Sequence, residues 1–140
     1  MFRVDPADGS VVATIPVGAK PNWVAVTDDA VWVENTGDGT VSRIDLPSNA
    51  VVGTFHVGRA PVYLAMADGR VWVANGGSRS VSVLEAATGA VIADIAFDTG
   101  VHGLAAAAGS IWVLDLHGPK LLGTLKGSTI WRFDPTRLQD

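Results

Sequence analysis

The sequence predicts an all-β chain assembled from repeated four-stranded units, and three observations carry that prediction. The phrases "AVWVEN" at 30–35, "RVWVAN" at 70–75 and "SIWVLD" at 110–115 set Trp32, Trp72 and Trp112 forty residues apart. Val11, Val51 and Val91 keep the same interval, as do Ile44 and Leu84, with Val4 forty residues before Ile44. Between such positions lie short β-branched or aromatic runs broken by "PSNA", "ADGR", "NGGSRS" and "ATGA". Runs of about five such residues bounded by Gly, Pro, Asn, Asp and Ser read as strands joined in hairpins. Four strands in a unit of about forty residues is the pattern of a β-propeller blade.

Taken in order, with strands labelled A to D outward from the channel, the chain opens on C and D ("FRVD" and "VVATIPV"). Two full units follow. In the first, "PNWVAV" is A, "AVWVEN" is B, "VSRID" is C and "VVGTF" is D; in the second the runs fall at roughly 62–66, 70–75, 81–85 and 91–96. The chain closes on A, B and C ("GLAAAA", "IWVLD" and "IWRFD"). The stretches "LEAATGAVIADIA" and "GLAAAAG" favour helix locally, but their register with the earlier units overrides a weak propensity. The expectation is 12 or 13 antiparallel strands in one segment over 1–140, with units at about 10–49, 50–89 and 90–135 and an insertion within 116–128. Trp32, Trp72 and Trp112 are expected in equivalent buried positions between blades. That is about three blades' worth: a partial ring, or half of a dimeric six-bladed one.

Composition narrows the function classes. Of 140 residues 48% are hydrophobic and 17% charged, so the chain supports a packed core. A net charge of −4 gives no basic face for nucleic acid. The absence of Cys removes thiol chemistry. No apolar run is long enough to insert in a membrane, and "MFRVDPADGS" has no signal-peptide character.

The phrases "VSRIDLPSNAVVGTFHVG", "SVVATIPVGAKPNWVAV" and "AVWVENTGDGTVSRID" resemble the YVTN/YncE-like bacterial propeller repeats and the related streptogramin (virginiamycin B) lyase propellers. The resemblance covers nearly the whole chain except 116–128. It implies a propeller fold, membership of a ring of roughly seven blades, and a periplasmic or secreted bacterial setting. It does not fix function, because this fold hosts many.

Antiparallel pairing of A with B brings the start of A and the end of B to one rim. The aligned starts are Asn22, Val62 and His102; the aligned ends are Asn35, Asn75 and Asp115. The third unit alone therefore sets a His beside a carboxylate. Streptogramin lyases carry a His after the turn into A and an acid at the end of B, and "VHGLAAAAGSIWVLD" is similar at His102 and Asp115. It differs in lacking a Pro before the His and in an A–B turn shorter by one residue, and a second His and metal-linking carboxylate have no match. The resemblance implies His102 as general base, with Asp115 orienting it or a Mg2+ ion. Without the resemblance, His102 and Asp115 read as residues bonding their own turns.

The third unit also carries a long B–C loop. Trp72 to Val81 spans nine residues, whereas Trp112 to Ile130 spans eighteen. The added "LHGPKLLGTLKGS" includes His117 and emerges at the same rim, where loops on a rigid scaffold carry function. His102, Asp115 and His117 lack tight metal-ligand spacing, and no metal site is assigned. Arg3, Arg43 and Arg132 beside Asp5, Asp45 and Asp134 read as inter-strand pairs.

The leading reading is a noncatalytic binding module without cofactor, its rim formed by Asn22, Trp23, Glu34, Asn35, Tyr63, Asn75 and His117. The partner would be a small molecule or a protein. One alternative is a lyase-like enzyme using His102 and Asp115; another is a structural or sensor segment of a larger propeller. The open first and last units predict self-association, as a homodimer, or closure by further blades of a longer chain.

Overall fold

The computed structural model of the protein describes residues 1–116 and 128–133, and for Asp115, Leu116, 128–131 and Phe133 the backbone alone. Thirteen strands and no helix occupy these residues. β1 (Phe2–Val4) and β2 (Val11–Thr14) form a two-stranded sheet. β3 (Pro21–Val26), β4 (Ala30–Asn35), β5 (Thr40–Asp45) and β6 (Ala50–His56) form the first four-stranded sheet, in that order. β7 (Pro61–Ala67), β8 (Arg70–Asn75), β9 (Ser80–Glu85) and β10 (Val91–Ala96) form the second. β11 (Gly100–Ala107), β12 (Ser110–Leu116) and β13 (Ser128–Phe133) form a three-stranded sheet. Every neighbouring pair is antiparallel.

Local chemistry explains the hairpins. Asp68-Gly69 and Ala108-Gly109 all take positive φ and close β7–β8 and β11–β12 through two-residue turns. That geometry matches the right-handed twist of the flanking strands. The alanine run of β11 is strand because β12 pairs with it from Gly100 to Ala107, which overrides its helical propensity.

The sheets stack face to face in series. Ile15 and its neighbours on the two-stranded sheet pack on Val33 and Ile44. Trp32 and Val41 pack on Leu64, Val71, Val73 and Leu84 of the next sheet, and the Trp32 ring lies 5.8 Å from that of Phe55. Trp72, Val81 and Val83 pack on Val101, Ile111 and Val113 of the third. β4 and β8 are thus covered on both faces, which is why they read as continuous rather than alternating apolar runs. The outer strand β6 alternates exposed and half-buried residues.

Two expectations are corrected. Trp32 and Trp72 are fully buried, but Trp112 is 38% exposed. It occupies the same strand position on a sheet that no further sheet covers among the described residues. Among the described residues, Arg3 and Arg43 form no ion pair with Asp5 and Asp45 beside them in sequence. Arg43 bonds Asp29 in the A–B turn at 2.6 Å, while Asp45 accepts from Ser48. Arg3 donates to Asn49, and Arg132 donates to Ser110 with its guanidinium 5.8 Å from the Trp112 ring. Asp134 lies outside the described residues.

Candidate functional site at the shared rim

The starts of β3, β7 and β11 share one backbone irregularity. The ladder skips a residue between Pro21 and Trp23, between Pro61 and Tyr63, and between Val101 and Gly103. The extra residue is Asn22, Val62 or His102 in turn, so the three aligned rim positions are three β-bulges. A bulge re-aims a side chain without disturbing the ladder beyond it. The framework around them repeats. Lys20 (φ 52) and Ala60 (φ 45) lead into Pro21 and Pro61. The B–C turns brace them, with Thr36 and Gly76 amides donating to the Lys20 and Ala60 carbonyls at 3.1 and 3.0 Å. The third copy has Gly100 and Val101 there in place of the left-handed residue and Pro.

His102 is exposed, and its Nδ1 lies 3.0 Å from the Gly100 carbonyl oxygen. A carbonyl only accepts, so this contact places the proton of the neutral ring on Nδ1 and the lone pair on Nε2. Asp115 is the backbone partner of Val101, one residue from His102. Beside His102 is a cavity of about 390 Å³, lined chiefly by Tyr63, Leu104, Trp112 and Leu114. His117 and nearly all of the 116–128 insertion lie outside the described residues. Among the described residues no three of His, Cys, Asp and Glu converge in a way that could hold a metal, and no step is derived through Mg2+.

Asn35 and Asn75 are not on an open surface. Both are fully buried. Asn35 Nδ2 donates to Thr40 Oγ1 at 3.0 Å and Ser42 Oγ at 2.9 Å; Asn75 Nδ2 donates to Ser80 Oγ at 3.2 Å and Ser82 Oγ at 2.7 Å. The amides tie strand B to strand C, and each packs on the glycine that precedes strand A, Gly18 or Gly58. The third copy departs from this pattern in its residues. Val33 pairs with Ser42 and Val73 with Ser82, but Val113 pairs with Trp131, so the second hydroxyl acceptor has no counterpart.

The remaining candidates gather between the first and second four-stranded sheets. Trp23 and Glu34 are direct cross-strand partners. The Trp23 ring is 43% exposed and lies 4.7 Å from that of Tyr63, tilted by 59°. Glu34 is fully buried; Thr36 Oγ1 donates to its Oε1 at 2.5 Å, while Oε2 has no hydrogen-bond partner. Burial pushes the Glu34 carboxyl above its ordinary value, opposed by hydrogen bonds from Thr36 and Asn22. Asn22 Nδ2 also reaches the Val62 carbonyl at 3.5 Å, bridging the two sheets. Thr36 was not singled out from sequence. The available signal was its position two residues after Glu34, where the second copy has Gly76.

No protein-family model matches the chain, and no curated protein matches it. Solved structures do. Hydrazine synthase of Kuenenia stuttgartiensis superposes with a TM-score of 0.81 at 17% identity, covering 96% of this chain and 40% of that one. The β-propeller domain of Cps50 (Swd1) from Myceliophteria thermophila gives 0.63 at 15% identity, over 87% of this chain and 39% of that one. The fold is a partial β-propeller. BBS1N, solved in complex with ARL6DN, gives 0.74 at 16% identity, over 96% of this chain and 43% of that one. The propeller segment described here thus spans less than half the length of each of these three chains.

Proposed function

We propose that this propeller segment is a noncatalytic binding module whose recognition surface is the rim formed by the starts of β3, β7 and β11. The observation that carries this reading is the contrast between framework and bulge. Asn35 and Asn75, with their hydroxyl partners, repeat, whereas the three bulge positions hold an amide, an aliphatic and an imidazole. A scaffold that repeats while its outward positions vary suits recognition. The BBS1N complex with ARL6DN supports a protein as one class of partner, and a small molecule at the rim is the other. Self-association, or closure by further blades of a longer chain, belongs to the same reading. The test is an NMR screen of the 140-residue chain against anionic, neutral and cationic fragments. Shifts clustered at 20–23, 36, 60–63 and 100–103 are expected; shifts confined to β6 and β10 would overturn the reading.

A second reading has its own support. An exposed His102 with Nδ1 held by the Gly100 carbonyl, lining the 390 Å³ cavity, supports a general-base role as in a lyase of the streptogramin type. With a substrate in hand, His102→Ala should abolish turnover while the fold persists, and unchanged turnover would remove this reading.

A further inference from the structure

We propose that the junction of the first and second four-stranded sheets is a recognition site for an alkylammonium group, seated at the Trp23–Tyr63 ring pair with Glu34 as counter-charge. This rests on the rim reading and names the chemistry of its ligand.

Glu34 is the first argument. A buried carboxylate oxygen without a partner carries a desolvation cost that the fold does not require. At the next junction, Val62, Tyr63 and Ala74 stand in place of Asn22, Trp23 and Glu34. There the same backbone closes with an apolar set, so the acid is not needed to join two blades. The second argument is the rings. As cross-strand partners on one face, Trp23 and Glu34 have Cβ atoms about 5 Å apart. The Trp23 ring, 43% exposed, stands on the same face as the carboxylate and meets the Tyr63 ring at 59°. Aromatic faces attract cations, most strongly when the site is desolvated. Thr36 holds the acid by a hydrogen bond to Oε1, and Oε2 has no hydrogen-bond partner. The third argument is exclusion. An anion would meet a buried carboxylate in a chain of net charge −4. Calcium or magnesium would need about six oxygen ligands, and two rings supply none. An organic cation matches both the acid and the rings.

The test is a titration of the full chain followed by ¹H–¹⁵N NMR of the Trp indole signals, the Trp23 signal assigned through Trp23→Phe. The probes are n-butylammonium chloride and N-acetyl-lysine N-methylamide, with sodium chloride and n-butanol as controls. The expected result is a saturable shift at Trp23 with the ammonium probes, about fivefold or more weaker in Glu34→Gln. Trp23→Ala, a change at a half-exposed ring, should abolish binding as read from the backbone amide shifts of Thr36 and Tyr63, while the circular dichroism stays that of the folded chain. Tighter binding of the lysine derivative identifies a protein side chain as the source of the ammonium; tighter binding of n-butylammonium identifies a free amine. No saturable shift, an equal shift with n-butanol, or unchanged affinity in Glu34→Gln overturns the proposal. If neutral or anionic fragments move the rim while ammonium probes do not, this inference fails and the rim reading stands. If nothing moves the rim, both fail.

Discussion

Glu34 shows how one side chain couples the rim to stability. Its carboxyl is raised in the folded chain because burial penalises the charged form more than Thr36 and Asn22 favour it. A group whose folded value lies above its unfolded one contributes stability that is complete below the unfolded value and is lost as pH rises through the folded one. The window opens at the ordinary value of 4.5. The urea midpoint of the chain should therefore fall as pH rises above that value, and Glu34→Gln should flatten the fall and exceed wild type at neutral pH. Equal pH profiles for the two proteins would contradict this. Asp29 and Asp45 are lowered, chiefly by hydrogen bonds from Thr27 and Ser48, so their contributions act in the opposite sense, lost only as pH falls. At this scale the sequence was partly legible. Glu34 and Trp23 were visible as rim residues. That Asn35 is buried was not legible from alternation, because β4 is covered on both faces. The sequence reading set Asn35 on the open rim; the available signal for its hydroxyl partners was that Thr40 and Ser42 recur as Ser80 and Ser82 at the same offsets. What no spacing could show was the bulge, which depends on hydrogen-bond register rather than residue type.

Among the elements, the B strands bear most of the packing. β8 lies between two covered faces, so Trp72→Ala should cost about 3–5 kcal/mol in denaturant unfolding. Trp112→Ala, on the uncovered face of β12, should cost less than about 2 kcal/mol. Equal losses would mean that the three tryptophans are equivalent after all. The loop before strand A makes a separate prediction. A Cβ on Gly18 would fall 2.7 Å from Asn35 Cγ and 2.6 Å from Asp38 Oδ2, and one on Gly58 would fall 2.6 Å from Asn75 Cγ. Gly18→Ala or Gly58→Ala should therefore destabilise by about 1–3 kcal/mol through overpacking, read from the same unfolding curves. Element type and order were legible because a forty-residue period multiplies a weak strand signal by three. The exposure of Trp112 was not, since a repeat reports what is alike between units and not what covers the outermost one.

At the scale of the molecule, blade faces are buried by neighbouring blades, and among the described residues one outer face is covered only in part and the other has no neighbouring sheet. Val24 and Val26 on β3 are 50% and 62% exposed, whereas Leu64 and Met66, at the same positions of β7, pack on the preceding sheet. The two-stranded sheet covers only Val33, Ile44 and their surroundings. On the other side Trp112 and Leu114 are each 38% exposed, where Trp32, Glu34, Trp72 and Ala74 are buried. Among the described residues β13 also has no outer strand of the kind that β5 and β9 have in β6 and β10. Monomers rarely expose contiguous apolar patches beyond roughly 300–600 Å², and a free strand edge is a template for pairing. Two copies related by a two-fold axis would bring β2 of each to β13 of the other and enclose about six blades, within the usual range of roughly 4–8. Sedimentation equilibrium of the 140-residue chain at micromolar concentration measures this directly. The account predicts a mass of two chains of 14.5 kDa each, or a larger closed multiple. A folded species that remains at 14.5 kDa across the concentration range would contradict the claim that these faces require a neighbour.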